Sequence, residues 1–233
     1  MKKGFMTTGT FIIITCAITA YCGATECKSL SEKPTNAETV SILQTKSAAR
    51  VTNGKSLVVY FSVPETDGTD ASSGASRILS DGKVMGNTQY VATLISEATG
   101  SDLFEIKTTH TYPGSHKALI DAAKEEIDNN TRPKLATHIK NLKEYDVVFV
   151  GFPNWWYDMP MPLYSFFDEY DFSGKTIIPF CTHGGSRFSG AIKTIRELEK
   201  NAQVLDGHAI ARDRVSDSKE GIVRWLEKIG MKK

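Results

Sequence analysis

The chain has 233 residues, with 28 Lys and Arg against 27 Asp and Glu, so its formal net charge at pH 7 is +1. Hydrophobic residues make up 40% and charged residues 24%, as in an ordinary globular protein, and the length suits one domain of good size. The near-balanced charge leaves no broad field of either sign, which argues against nucleic acid or an anionic membrane as a partner.

Residues 1–24 differ in texture from all that follows. Lys2 and Lys3 give a positive start, Phe11 to Ile18 an uncharged apolar run, and Ala20, Gly23 and Ala24 the small residues after it. That is the order of a secretory signal peptide, and the run is too short for a bilayer span. A cut after Ala24 is expected, with export of a bacterial type to the periplasm or cell surface. The alternative is lipid attachment at Cys22, where Tyr21 holds a place normally taken by a small residue. Cys16 and Cys22 lie in the signal, Cys27 follows it and Cys181 ends an apolar strand, so neither a disulfide framework nor a metal spacing is visible. Residues 25–52 are rich in Ser, Thr, Lys, Glu and Ala and read as a flexible tether ahead of a folded domain over 53–233.

From Ser56 the chain turns to Leu57-Val58-Val59-Tyr60-Phe61, whose continuous apolarity predicts a central strand buried on both faces. A long polar segment, Val63 to Lys83, reads as a loop. It ends at Gly86-Asn87-Thr88, after which Val91, Leu94, Ile95 and Ala98 recur at helical spacing, with Asn87 or Thr88 as cap and Gly100 as exit. Leu103 to Ile106 predicts an edge strand, and Lys117 to Asn129 an amphipathic helix with Leu119, Ile120, Ala123 and Ile127 on one side. Asp146 to Gly151 is the third strand. A helix begins at Pro162, Thr176 to Cys181 forms a fourth strand, and a helix starts near Ser189. Gln203 to Ile210, interrupted by Gly207, predicts a weaker edge strand, and Ser218 to Ile229 a last helix. Strands alternating with helices make the class α/β with a parallel sheet and right-handed crossovers.

Loops after the first, third and fourth strands of such a sheet open on its carboxyl side, and here they hold most of the unusual residues. Ser62, Asn87 and Thr88, with a glycine before a helix, offer hydroxyls, an amide and backbone N–H groups to one phosphate. No Walker or Gly-x-Gly-x-x-Gly spacing occurs, which disfavours a triphosphate or pyrophosphate. The stretch Gly151 to Met161 carries Pro153, Asn154, Trp155, Trp156 and Tyr157, aromatic faces for a planar ligand; its alternative reading is a loop folded onto its own core. Thr182, His183, Gly184, Gly185 and Ser186 supply a backbone-rich rim. A phosphate pocket, an aromatic slot and such a rim together suit flavin mononucleotide (FMN). His183 is the candidate catalytic residue, with a hydrogen-bonding spacer as its other reading. Cys181 reads as a small core group.

These residues carry a resemblance. Val59-Tyr60-Phe61-Ser62 with Gly86-Asn87-Thr88, Asp102 to Ile106 followed by Tyr112-Pro113, Gly151 to Pro162 with Asn154-Trp155-Trp156, and Gly174 to His183 are similar to the flavodoxin family. The resemblance is specifically to flavodoxin-like members whose phosphate loop is extended, so that a long insert separates Tyr60-Phe61-Ser62 from Gly86-Asn87-Thr88. The resemblance implies a flavodoxin-like five-stranded parallel sheet of order 2-1-3-4-5 with helices on both faces, FMN held without a covalent link, and redox work. It also implies that Ser62, Asn87 and Thr88 hold the phosphate, with Pro153 to Tyr157 and Thr182 to Ser186 flanking the ring. Two readings of function follow. One is an exported FMN-dependent oxidoreductase or electron carrier, serving a redox partner protein or a small quinone-like acceptor. The other is an exported non-enzymatic binding module that keeps the fold without flavin.

Overall fold

The computed structural model describes residues 54–66 and 76–233. The expected signal segment, tether and Cys16, Cys22 and Cys27 lie outside the described residues. Among the described residues no helix is long and apolar enough to cross a membrane.

Strand β1 (Ser56–Tyr60) is the interior strand, buried on both faces, that its apolar run predicts, with Val58 and Val59 fully buried. The hairpin strands β2 (Arg77–Ser80) and β3 (Lys83–Gly86) follow, then helix α1 (Asn87–Thr99), strand β4 (Asp102–Glu105) and helix α2 (His116–Asp128). Strand β5 (Val147–Pro153) leads to α3 (Met161–Glu169), and β6 (Thr176–His183) to α4 (Ala191–Leu198). The short strands β7 (Gln203–Val204) and β8 (His208–Ala211) precede α5 (Lys219–Lys228).

The main sheet runs β4-β1-β5-β6-β7, with β8 also on β6, and all its pairings are parallel. Side chains alternate across a strand, so each strand feeds two cores. Val59, Val148, Val150 and Phe152 pack with Leu119, Leu163, Phe166 and Ile195 from α2, α3 and α4. Val58, Val147, Phe149 and Ile178 pack with Val91, Ile95, Ile222 and Leu226 from α1 and α5 on the other face. Each fully buried side chain of this size contributes about 1.5–3 kcal/mol.

Four expectations need correction. The expected loop from Val63 to Lys83 ends in a hairpin, because Asp81 and Gly82 both adopt positive φ, 48° and 74°, and close the two-residue turn that suits β2 and β3. The α1 cap is Gly86, with Asn87 and Thr88 already helical; Gly86 N–H donates to Gln89 Oε1 at 3.3 Å. Strands β5 and β6 run two residues past their expected ends, since Phe152 and Pro153 pair with Cys181 and Thr182, and Asn154 N–H still donates to the Thr182 carbonyl at 2.8 Å. Finally, the edge strand splits into β7 and β8. Leu205 N–H donates to the Ile177 carbonyl at 3.0 Å, so the next donor toward this edge is that of Pro179, which has none. The chain crosses that gap at Gly207, whose φ is 72° and where a Cβ would stand 2.1 Å from the Pro179 carbonyl oxygen.

Candidate functional site

The connections leaving the carboxyl ends of β1, β5 and β6 surround a cleft of about 580 Å³. Asn87, Pro153, Asn154, Trp155, Trp156, Tyr157, Thr182, His183, Gly184, Gly185 and Ser186 line it. The other two residues singled out from the sequence, Ser62 and Thr88, are not among its lining residues. Thr88 is fully buried, and its hydroxyl shares a 2.8 Å hydrogen bond with that of Thr182, which ties the first turn of α1 to the end of β6. Ser62 Oγ is buried with no hydrogen-bond partner among the described residues. A hydroxyl left so costs about 1–3 kcal/mol, a penalty that a bound acceptor removes.

The aromatic stretch divides into a wall and a rim. Trp155 meets Phe61 and Tyr112 edge to face, each at 5.5 Å between ring centroids. Burial raises the Tyr112 hydroxyl far above its usual range, and it donates at 2.9 Å to Glu126. Trp156 and Tyr157 form a tight turn closed by paired backbone bonds between Trp155 and Asp158, at 3.0 and 3.1 Å. Both adopt positive φ, 52° and 68°, a region that costs an L-residue about 1–2 kcal/mol. The surroundings over-determine that strain. Trp156 Nε1–H donates to the Ile120 carbonyl at 3.0 Å, Gly190 N–H to the Tyr157 carbonyl at 3.1 Å, and Tyr164 and Thr194 each donate a hydroxyl to Asp158 at 3.0 Å. Tyr157 itself stays 71% exposed.

The third connection begins inside β6. Thr182 and His183 are strand residues, paired with Ile210 and Ala211 of β8, and only Gly184 onward forms the rim. His183 is buried, and its Nδ1 accepts the Gly185 N–H at 2.9 Å, so the proton of the neutral ring sits on Nε2. Burial, aided by the Arg187 guanidinium and opposed by Asp213, holds His183 below its ordinary pKa and hence neutral at pH 7. Arg212 lies over Gly184, where an added Cβ would be 3.0 Å from its guanidinium. Cys181 is fully buried in the core, and burial pushes its thiol far above the usual range.

Sequence reasoning missed four polar or charged groups in the cleft: Glu65, Ser76, His116 and Arg212. The α2 face of Leu119, Ile120 and Ala123, legible as an apolar stripe, is also part of its wall. His116 Nδ1 lies 2.9 Å from Glu65 Oε1. His116 opens α2, one residue before the expected helix start at Lys117, whereas no local signal marks Glu65 or Arg212. Among the described residues no cluster of His, Cys, Asp or Glu could hold a metal ion.

Comparison with known proteins meets this geometry. Residues 78–229 match the family model described as flavodoxin. A protein from Bacteroides uniformis described as a candidate flavoprotein superposes with a TM-score of 0.59 at 28% identity, over 76% of this chain and 99% of its own. One from Bacteroides eggerthii, described likewise, gives 0.59 at 25% identity over 77% and 100%. A flavoprotein from Lactobacillus acidophilus, solved in complex with FMN, shares the fold with a TM-score of 0.50 at 20% identity over 72% and 99%. Comparison with curated proteins gives no match. The family match spans well over half of the chain, across both cores and all but the first strand of the sheet, and the chain belongs to the flavodoxin family.

Proposed function

We propose that this chain binds FMN in the cleft and acts as an exported redox protein, passing electrons to a small acceptor or a partner protein. The observation that carries the reading is the buried Ser62 Oγ next to the start of α1, which has no partner among the described residues. The first N–H groups of a helix have no intrahelical acceptor, and Gly86 lets the backbone approach without a side chain. Ser62, Asn87 and Thr88 would hold the phosphate. Trp155, backed by Phe61 and Tyr112, would wall the ring, while Pro153 to Tyr157 and Thr182 to Ser186 would flank it. When bound, FMN would supply reversible transfer of one or two electrons.

The chain's own residues would set access and electrostatics. The pinned turn at Trp156 and Tyr157 gives a rim that needs little reordering when a planar group enters. The neutral His183 and the cationic Arg212 face the cleft, and positive or neutral surroundings favour an added electron pair more than carboxylates do. Export rests on the charged, apolar and small-residue order of residues 1–24. Purified protein titrated with FMN should quench flavin fluorescence at micromolar concentration. A folded protein that leaves FMN fluorescence unchanged sinks the reading.

A further inference from the structure

We infer that His116, oriented by Glu65, donates a proton to a small quinone-type acceptor reduced in this cleft, so that the site favours acceptors taking protons with their electrons. This rests on the flavin reading above. His116 and Glu65 both line the cleft that Trp155 walls. The Glu65 side chain is 4% exposed and that of His116 32%, with Nδ1 to Oε1 at 2.9 Å. A carboxylate taken so far from water needs a partner, and an imidazole held by one carboxylate has its orientation and tautomer set.

The backbone on both sides of the pair is stitched. Thr66 N–H donates to the Gly114 carbonyl at 2.7 Å, one residue after Glu65 and two before His116. Arg77 Nη1 donates to the Glu65 carbonyl at 2.9 Å. The other charged or titratable groups lining the cleft are Tyr157, His183 and Arg212. His183 is unsuited to the role as a cation, because its Nδ1 is committed to accepting the Gly185 N–H. An ionised Glu65 only accepts, so Nδ1 of His116 carries a proton, and the ring in its cationic form holds a second on Nε2.

The chemistry balances. A quinone becomes a hydroquinone by gaining two electrons and two protons. Bound FMN, recharged by an external reductant of the nicotinamide or redox-protein class, would supply the electron pair and one of the two protons. The other passes from the His116 imidazolium to the carbonyl oxygen: an N–H bond breaks, an O–H bond forms, and the part-exposed ring regains its proton from solvent. His116 is the catalytic acid and Glu65 the positioning residue.

The test compares FMN-loaded full-length protein with its His116→Gln and Glu65→Met variants on two acceptors, menadione, which takes protons, and ferricyanide, which takes none. General acids contribute about 10²–10⁴-fold, so the ratio of menadione to ferricyanide rates should fall at least about tenfold in His116→Gln and by less in Glu65→Met. In parallel, ¹⁵N NMR of flavin-free unaltered protein should show the neutral His116 ring protonated on Nδ1, a tautomer lost in Glu65→Met. An unchanged rate ratio, or a neutral His116 ring protonated on Nε2 in the unaltered protein, overturns the proposal while flavin binding stands. Failure of the unaltered protein to bind FMN removes the flavin reading and this proposal together.

Discussion

The Ser62 hydroxyl fills the space that a side chain on Gly86 would need: a Cβ there would stand 2.0 Å from Ser62 Oγ. Two segments separated by residues 63–85 therefore meet at van der Waals contact, and the hydroxyl between them has no partner of its own among the described residues.

Ser62→Ala separates the two consequences of that arrangement. Removing an unsatisfied buried hydroxyl should leave the flavin-free protein as stable or more stable by about 1 kcal/mol. The same change should weaken FMN by about 1.5–3 kcal/mol, the worth of a hydrogen bond to a charged acceptor. Denaturant unfolding and a fluorescence titration measure the two effects. Lost stability with unchanged affinity would make the hydroxyl structural.

Trp155→Ala should weaken FMN by about 1–3 kcal/mol, the range for a base stacked on an aromatic side chain. Its edge-to-face contacts with Phe61 and Tyr112 are each worth about 0.5–1.5 kcal/mol, so stability should fall as well. Trp155→Phe should recover part of both. If only stability responds, Trp155 belongs to the core and another group walls the ring.

Tyr157→Gly tests the strained turn. The side chain is 71% exposed, so little burial is lost, while glycine accepts the φ of 68° freely. Stability should rise by about 0.5–1 kcal/mol, or a few degrees in Tm for a domain of this size. A drop in FMN affinity accompanying that rise would show that the strain is kept for binding.

Glu199→Gln addresses pH dependence. Burial, reinforced by Asp171 and Asp168, pushes the Glu199 carboxyl up to about 7. The folded state then holds a proton that the unfolded chain releases above about 4.5, so this group lowers stability as pH rises from about 4.5 through 7. The Gln variant should gain roughly 1 kcal/mol over the parent at pH 8 after allowance for solvent screening, and nothing at pH 4. Urea unfolding at the two pH values measures the difference, and equal gains at both would exclude the carboxyl as the source.

Burial patterns were legible wherever they were local. The β1 run, the α1 and α2 stripes and the order of strands and helices all follow from periodicities of two and 3.6 residues. The Asp81-Gly82 pair between Ile78-Leu79 and Val84-Met85 was a readable hairpin signal, hidden by the polarity of the surrounding segment. The split of the fifth strand position was half-readable. Gly207 marked it in its own segment, but its cause is the donor missing from Pro179 on the neighbouring strand.

The sequence by itself determined the class, the order of elements and the residues gathered at the carboxyl edge, because a strand buried on both faces and an amphipathic helix each write their environment into consecutive residues. The tertiary structure decided which of them do what. It set Trp155 as wall and Trp156 and Tyr157 as a strained rim, left Ser62 Oγ without a partner among the described residues, and brought Glu65 and His116 together across 51 positions of sequence. Such contacts depend on how crossovers return over the sheet and how loops pin one another, and no local pattern of residues encodes that geometry.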